Sequence, residues 1–397
     1  MTDFLARAQE LFSYTRDLRR DFHMHPELGF EEVRTAGIIA KELNELGLET
    51  TTGIAKTGVV ALLEGEKPGP TVLLRFDMDA LPIEEETGAE YASTIPGKMH
   101  ACGHDGHVAI GLTVAKMLND VRDELAGTVK FVFQPAEEGI VNQEGRSGNG
   151  QMIHEGVLEN PKVDQALALH LWNSKPLGWI GIGAGPMMAG AEYFKITVYG
   201  KGGHGAMPQV SVDPIVASAE IISALQSVVA RNVDPLKPAV VTVASVQAGE
   251  AFNVIPPKAE MTGTIRTFER DVRLTVLERF MEIVEGTAQA MGCTAEIELK
   301  RISPAVINAG EVAAKVQAAA QKVFPETEVD EEMCQTMGAE DMAYMLEEVP
   351  GCYFFVGSAN AEKGLNYDHH HPKFDIDEDA LPRAAALMAA AAAEILK

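Results

Sequence analysis

One short stretch, MHACGHDGH at residues 99–107, concentrates several side chains that can do chemistry. It places Cys102 and His104, followed by Asp105, in a glycine-rich turn before a helix-like run. A thiolate and an imidazole are good ligands for divalent transition metals. The N-terminus of a following helix would lower the pKa of the thiol. The stretch alone leaves three interpretations open: a metal site, a cysteine nucleophile with a histidine base, or a polar helix cap.

Paired carboxylates follow two other apolar runs. Glu137 and Glu138 stand in FQPAEEG, and Asp77 and Asp79 stand in DMDALP. One carboxylate of the first pair can bind a metal while its neighbour takes a proton from water. Alternate residues of an extended chain point the same way, so both aspartates could face one site. We predict that the glutamates take part in the chemistry and that the aspartates orient a ligand histidine or hold a loop. The alternatives are a solvated surface pair for the glutamates and a cap or turn for the aspartates.

Histidines at two further places could complete a metal site. His170 lies in the apolar run ALALHLW, where a hydrogen-bonded core histidine is the alternative to a ligand. His369, His370 and His371 are consecutive in DHHHPKFDID, and three adjacent side chains cannot all face one site. A ligand among the three and a simply exposed run are the two interpretations.

A second group of polar residues lies later in the chain. GKGGHGAMP carries His204, FNVIP carries Asn253 and GTIRTF carries Arg266. Glycine-rich turns let the backbone approach a ligand closely. Together these three side-chain types could hold a carboxylate and polarise a carbonyl, although each alone is equally compatible with an ordinary structural role.

The order of the apolar runs predicts an α/β fold that gathers the first group of residues at one edge of a sheet. The strand-like runs VVALLE, TVLLRFD, TVKFVFQ and ALALHLW alternate with the helix-like run GHVAIGLTVAKML. This alternation is typical of a sheet covered by helices, in which ligands collect at the carboxyl ends of the strands. The candidate aspartates and glutamates, with His170, lie at or just past such ends.

From about Ala189 the pattern changes to strand, helix, strand, strand, helix, strand, which is the order of a ferredoxin-like unit. We predict that this unit, at 187–302, is inserted into a larger domain formed by residues 1–186 and 303–397. The chain length of 397 residues is comfortable for two domains.

The bulk properties exclude several classes of protein. Hydrophobic residues make up 46% of the chain and charged residues 23%, which is ordinary globular composition. The formal net charge of -25 disfavours nucleic acid and anionic lipid as partners. The sequence shows no signal peptide pattern, we expect no segment that spans a bilayer, and the cysteines are scattered like reduced thiols. These features predict a cytoplasmic protein.

Taken in order, the motifs resemble those of the M20 metallopeptidase family, specifically its amidohydrolase branch of hippurate hydrolases, N-acyl-amino-acid amidohydrolases and indole-acetyl-amino-acid hydrolases. The matching stretches are HMHPELGFEE, DMDALP, MHACGHDGH, FQPAEEG, ALHLW, GKGGHGAMP, FNVIP, GTIRTF, GAEDMAY and HHPKF. The resemblance implies a mixed-sheet α/β/α catalytic domain with an inserted ferredoxin-like lid and dimerisation domain. It also implies hydrolysis of linear amides, with N-acyl amino acids or small peptide-like amides as substrates.

The resemblance implies a site with two divalent metal ions, zinc or manganese, with cobalt and nickel as alternatives. Cys102 would bridge the two ions. His104 and His170 would complete one metal site, and Glu138 and His370 would complete the other. His370 is chosen by its position in HHPKF, and its two neighbouring histidines are the alternatives.

The resemblance also assigns the chemistry. Glu137 would be the general base and acid for a metal-activated water. In a homodimer or homotetramer, His204 would reach the active site of a partner subunit, and Asn253 and Arg266 would bind substrate. The polar stretch IVNQEGRSGNGQMI after Glu138 departs from the small glycine-rich continuation usual in the family, which puts the substrate preference in question rather than the chemistry.

Three other functions would use the same residues differently. A dipeptidase or carboxypeptidase of the same family would act on another amide. A cysteine amidase with Cys102 as nucleophile would keep its activity under chelation. A non-catalytic, metal-dependent protein that binds amino-acid conjugates would need no general base, so the presence of Glu137 argues against it.

Overall fold

The structure is a computed structural model that describes residues 3–397. The chain divides into two compact units. The first comprises the chain up to Met187 together with Ile307–Gln335 and Asp341–Lys397, and the second comprises Met188–Val306 and Thr336–Glu340. The second unit therefore draws on two separate stretches, whereas the sequence predicted one insertion at 187–302.

The described residues form sixteen strands and ten α-helices. The strands are β1 (Glu49–Ile54), β2 (Gly58–Glu64), β3 (Lys67–Asp77), β4 (Ala126–Gln134), β5 (Gln165–Pro176), β6 (Ile180–Gly181), β7 (Gly185–Met188), β8 (Gly190–Tyr199), β9 (Gly203–His204), β10 (Ala239–Ala248), β11 (Val254–Ile255), β12 (Lys258–Thr267), β13 (Thr294–Ser303), β14 (Val306–Asn308), β15 (Val329–Asp330) and β16 (Gly351–Ala359). The helices are α1 (Phe4–Glu10), α2 (Phe12–Met24), α3 (Val33–Glu45), α4 (His104–Asn119), α5 (Gly148–His154), α6 (Pro214–Asn232), α7 (Arg270–Ala290), α8 (Gly310–Val323), α9 (Ala343–Glu348) and α10 (Ala380–Ile395).

A mixed eight-stranded sheet forms the centre of the first unit, in the order β1-β2-β4-β3-β5-β16-β6-β15. Its central neighbours β4, β3, β5 and β16 are parallel, whereas β1 and β2 and the pair β2 and β4 are antiparallel. Helices α4 and α10 pack on the central strands, which is why those strands read as continuous apolar runs. The mixed α/β fold class predicted from the sequence is confirmed.

The second unit contains a four-stranded antiparallel sheet in the order β10-β12-β8-β13. Helices α6 and α7 pack against it through apolar residues that include Leu225 and Phe280. The chain order β8-α6-β10-β12-α7-β13 is the ferredoxin-like order predicted from the sequence. Helix α6 begins with Pro214, and the Asp213 carboxylate accepts the N–H of Ile215 at 2.8 Å, which caps the helix.

Helix α6 also meets the length and composition criteria for a membrane span. The sequence was expected to contain no helix apolar enough for long enough to span a bilayer, and α6 departs from that expectation in length and composition only. The physical reason is that a core helix can satisfy the same criteria. In α6 the buried residues Ala217, Ile221, Leu225 and Val228 belong to the apolar core of the second unit.

Candidate metal centre and active site

The carboxyl ends of β3 and β4 and the start of α4 bring the first group of residues together. Asp77 is the last residue of β3, Glu137 follows β4 closely, and His104 is the first residue of α4. Because β3 and β4 are parallel neighbours, their carboxyl ends lie side by side. Gly103 precedes α4 with a φ of 92°, a left-handed conformation that glycine adopts without strain. This turn carries the chain from Cys102 into the helix.

Among residues 3–397, five sets of side chains each place three ligand-type atoms within 4.8 Å of one another, and two of these sets contain Cys102. One set is Cys102, His104 and His170, and the other is Cys102, Glu138 and His370. The Cys102 Sγ lies 3.5 Å from His170 Nε2, and His370 Nε2 lies 3.4 Å from Glu138 Oε2. Cys102 belongs to both sets, which is the arrangement that a bridging ligand requires. These are the five residues predicted to bind metal, and their role as ligands stays a prediction.

Two buried atoms of these sets have no hydrogen-bond partner among residues 3–397. They are His104 Nε2 and Glu138 Oε1, which lie 3.9 Å apart. Buried polar atoms without partners are rare in folded proteins. His104 Nδ1 donates to the backbone oxygen of Asp79 at 3.0 Å, so Nε2 is the ring atom that can bind a cation, once it has lost its own proton. A sulfur, imidazole nitrogens and carboxylate oxygens around such atoms fit a pair of divalent metal ions.

The pKa values of His104 and His170 are shifted in opposite directions, because their neighbours differ. Burial opposes a charge on His104, but Asp77, Asp79 and Glu138 together raise the pKa of its imidazole to about 10. Burial lowers the pKa of His170, and adjacent histidines lower it further. Metal binding at His104 would therefore have to displace a proton, which couples the affinity for metal to pH.

The Cys102 thiol does not have the lowered pKa that the sequence predicted. Burial raises its pKa well above the ordinary value, and Glu138 and Glu137 raise it further. The expectation was wrong because desolvation and nearby carboxylates outweigh the N-terminus of α4. A nucleophilic cysteine needs a lowered pKa. The surroundings of Cys102 therefore favour a ligand, whose proton a cation replaces, over a nucleophile.

His107 lies in the MHACGHDGH motif, but its role could not be predicted from the motif alone. Its Nε2 accepts the N–H of Leu171 at 3.0 Å, and its Nδ1 therefore carries the proton and donates to Asp77 Oδ1 at 2.5 Å. Both ring nitrogens are used, so His107 is not a metal ligand in this arrangement. The available signal was its spacing of three residues from His104, which places both side chains on one face of a helix.

Asp79 contacts both of the candidate metal sets. Its Oδ1 lies 3.3 Å from His104 Nδ1, and its Oδ2 accepts the backbone N–H of Glu138 at 3.0 Å. Asp77 accepts from Arg75 at 2.5 Å as well as from His107. Burial would raise the pKa of Asp77, but Arg75 first and the neighbouring histidines after it hold that pKa well below its usual value. The orienting role predicted for both aspartates is supported by these contacts and stays a prediction.

A buried polar network beside Glu137 was not foreseen. The carboxylate of Asp341 lies 3.2 Å from Arg75 and accepts from Gln134 at 2.7 Å and from the N–H of Asn149 at 3.2 Å. The backbone N–H of Asp341 lies 3.4 Å from Glu137 Oε1. The network joins the GAEDMAY motif and the polar stretch after Glu138, which contains α5, to the candidate base. The presence of GAEDMAY among the matching stretches was the only signal for it.

The three consecutive histidines have three different environments. His370 belongs to the second candidate metal set and has a φ of 66°. His369 is half-buried and donates through Nε2 to the backbone oxygen of Leu171 at 3.0 Å. His371 is exposed, and its Nδ1 accepts the N–H of Lys373 at 3.0 Å. Adjacent side chains thus point to different surroundings, as expected.

In the second unit, His204 and Asn253 lie together and Arg266 lies elsewhere. His204 is in β9 and Asn253 directly precedes β11, and these two strands pair. His204 Nδ1 accepts the N–H of Ala206 at 3.1 Å, which leaves Nε2–H as a donor. Strand β12 begins shortly after β11, and Arg266 lies near the far end of β12, a strand of 10 residues that spans about 33 Å. Within one chain, the second unit therefore does not bring His204 and Arg266 to the same place.

Comparisons with known proteins agree on one family. The sequence model for peptidase family M20/M25/M40 matches residues 73–394. An N-acetylcysteine deacetylase of Bacillus subtilis is 41% identical over 382 residues, which cover 96% of this chain and 96% of the relative. IAA-amino acid hydrolase ILR1-like 2 of Arabidopsis thaliana is 39% identical over 396 residues, which cover 99% of this chain and 87% of the relative. Among solved structures, the YXEP protein of Bacillus subtilis, a dinuclear metal binding peptidase from the M20 family, superposes with a TM-score of 0.84 at 37% identity, covering 98% of this chain and 99% of that chain.

Proposed function

The chain belongs to peptidase family M20/M25/M40 and is a metal-dependent hydrolase of linear amides, and on that premise we propose that it hydrolyses N-acyl amino acids. The proposal rests mainly on the position of Cys102, whose thiol belongs to two sets of ligand-type side chains beside the carboxylate of Glu137. The names of two relatives support the substrate class, since one is a deacetylase of N-acetylcysteine and the other a hydrolase of IAA-amino acids.

Glu137 is the residue that moves the proton in this proposal. Its carboxylate clusters with His104 and Glu138. Two divalent cations, when bound, lower the pKa of a water molecule and polarise the substrate carbonyl. Glu137 takes a proton from the attacking water and delivers it to the leaving amine, acting first as base and then as acid. The proposed ligands are Cys102, His104, His170, Glu138 and His370.

We propose zinc or manganese as the metal. A thiolate and imidazoles suit zinc, and the carboxylate with histidine also suits manganese, cobalt or nickel. The four cysteines are free thiols in the structure, which supports a reducing, cytoplasmic location as a further proposal.

We propose that His204 acts on the active site of a partner subunit in a homodimer or homotetramer. The exposed position of His204, with Nε2–H left as a donor, supports this role, because such a donor can stabilise the oxyanion of the tetrahedral intermediate. The separation of Arg266 from His204 within one chain also supports it, since substrate contacts from both residues would then come from different subunits. Asn253 lies beside His204 and would bind substrate with it.

A hydrolysis panel on the metal-reconstituted protein tests the proposed function. The panel contains N-acetyl, N-benzoyl and longer N-acyl amino acids together with dipeptides, each assayed with and without a chelator. We expect metal-dependent turnover of N-acyl amino acids. Preferred cleavage of dipeptides would indicate a dipeptidase, and activity that survives chelation but not thiol alkylation would indicate a cysteine amidase. Binding of the compounds without turnover would indicate a binding protein.

A further inference from the structure

The backbone of Leu171 in β5 is bonded by three histidine side chains. Its N–H donates to His107 Nε2 at 3.0 Å. Its carbonyl oxygen accepts from His170 Nδ1 at 2.7 Å and from His369 Nε2 at 3.0 Å. The pairing of β5 with β3 ends at Ala168, and buried backbone groups past that point still need partners. The histidines supply those partners at Leu171.

The carbonyl of Leu171 links the two candidate metal sets. His170 belongs to the set with Cys102 and His104, and the bond from its Nδ1 leaves Nε2 as the ligand atom. His369 belongs to neither set, but the next residue along the chain is His370 of the other set. One oxygen atom thus connects a side chain of the first set with the backbone that carries a side chain of the second.

The backbone of His370 needs such a restraint. Its φ of 66° is a left-handed conformation that residues other than glycine rarely adopt, and the surrounding structure must hold it. The N–H of His370 donates to the backbone oxygen of Ala101 at 2.7 Å. The preceding residue, His369, is held by Leu171 and packs its ring 4.8 Å from Trp172 and 5.1 Å from Phe374, measured between ring centroids.

We propose that His369 is a positioning residue that sets the spacing of the two metal positions through the Leu171 carbonyl, without binding metal itself. The proposal rests on the two-metal site of the proposed function. His371 provides the matched control, because it neighbours His370 on the other side but is exposed and stacks only on Tyr367, at 4.6 Å between ring centroids.

The experiment titrates the metal-stripped full-length chain with zinc chloride by calorimetry. His369→Phe keeps an aromatic ring but removes the donor, and His369→Asn keeps polarity but is too short to reach the Leu171 oxygen. We expect each variant to bind one equivalent like the wild type and the second about 10–100-fold more weakly. His369→Gln is long enough to donate and should bind both equivalents nearly as tightly as the wild type, as should His371→Phe.

The outcomes separate this inference from the proposed function. A wild-type chain that binds no zinc would overturn both. A wild type that binds two equivalents, with equal binding by His369→Phe and His369→Asn, would overturn only the positioning role. Equal losses of zinc affinity in His369→Gln and His369→Asn, or the same loss in His371→Phe, would also overturn the positioning role. Circular dichroism establishes folding, and if His369→Phe does not fold, the comparison of Asn with Gln decides the question.

Discussion

Glu137 and Cys102 depend for their chemistry on residues that lie far away in the sequence. Glu137 Oε1 lies 3.4 Å from the backbone N–H of Asp341, and the Cys102 Sγ lies 3.5 Å from His170 Nε2. The residue types of the site could be predicted from short motifs. The protonation state of Cys102 could not, because it depends on carboxylates that another strand brings beside the thiol.

Replacing Cys102 tests whether one side chain serves both metal positions. Because Cys102 belongs to both candidate sets, Cys102→Ser should lower the content of both metals after dialysis, whereas His170→Ala should lower mainly one. Elemental analysis measures the metal-to-protein ratio. Cys352→Ser is the control, since this thiol is fully buried in β16 and belongs to neither set. A Cys102→Ser protein with two tightly bound metals would refute the bridging role.

Glu32 predicts a pH dependence of stability. Its carboxylate accepts from Thr57 Oγ1 at 2.6 Å and from the N–H of Ala136 at 2.9 Å. Burial first, and Asp79 second, raise its pKa from 4.5 to about 7. The folded chain therefore binds this proton more tightly than the unfolded chain. The resulting stabilisation is complete below pH 4.5 and is lost as the pH rises through 7.

Glu32→Gln removes the titratable charge. Its amide oxygen can accept the N–H of Ala136, and its amide nitrogen can donate to Thr57 Oγ1, which then accepts instead of donating. We expect the variant to exceed the wild type in free energy of unfolding by about 1–3 kcal/mol at pH 8, with no such gain near pH 4. Urea unfolding at the two pH values measures the difference. The same change in stability at both pH values would show that burial of the charge is not the cause.

At the scale of secondary structure, the apolar pattern of the sequence predicted where the strands lie and end. The candidate site could then be predicted from the residues that follow those strand ends. The runs from Val59, Thr71, Thr128 and Ala166 all lie in strands of the central sheet. The bonds from histidine side chains to the backbone of Leu171 left no pattern in the sequence. Contacts of that kind have no periodicity, so motifs alone did not reveal them.

Lys130 in β4 holds a neighbouring segment by its backbone. Its Nζ donates to the carbonyl oxygens of Val157, Glu159 and Pro161 at 3.0, 2.8 and 2.8 Å. Lys130→Met should leave these oxygens without that donor and lower the free energy of unfolding by about 2–4 kcal/mol. Metal content should not change, because Lys130 is in neither candidate metal set.

Lys41→Met is the matched control for Lys130→Met. Lys41 is 68% exposed and pairs with Glu45 on the surface of α3, so its loss should change stability by less than about 1 kcal/mol. Thermal and urea unfolding compare the two variants. Equal effects would show that the three carbonyl contacts of Lys130 contribute little.

At the scale of the whole molecule, the two units have different architectures. The first unit is built on a mixed sheet whose strand ends gather the candidate metal ligands. The second is built on a four-stranded antiparallel sheet, and His204 and Asn253 lie at the separate strand pair β9 and β11. Both architectures could be predicted from the order of strand-like and helix-like runs in the sequence. That residues 336–340 also belong to the second unit could not be predicted, because five residues are too few to show a pattern in the sequence.

Mixing two inactive variants tests whether His204 acts on a partner subunit. In a mixed oligomer, a Glu137→Gln subunit supplies His204 to a His204→Ala subunit, which supplies Glu137. We expect a mixture that is unfolded and refolded together to regain part of the wild-type activity, while each variant alone stays inactive. Glu137→Gln mixed with a second Glu137→Gln preparation is the control. No recovery in a mixture shown to form hybrid oligomers would place His204 in the site of its own chain.

The proposed mechanism is tested most directly on the Glu137→Gln protein, by measuring its metal content and its kcat on an N-acetyl amino acid. Glutamine preserves the size of the side chain but cannot take up the proton. We expect two bound metals, as in the wild type, and a kcat lowered by at least about 100-fold. Full turnover by this variant with its metals in place would contradict the assignment of Glu137 as the base.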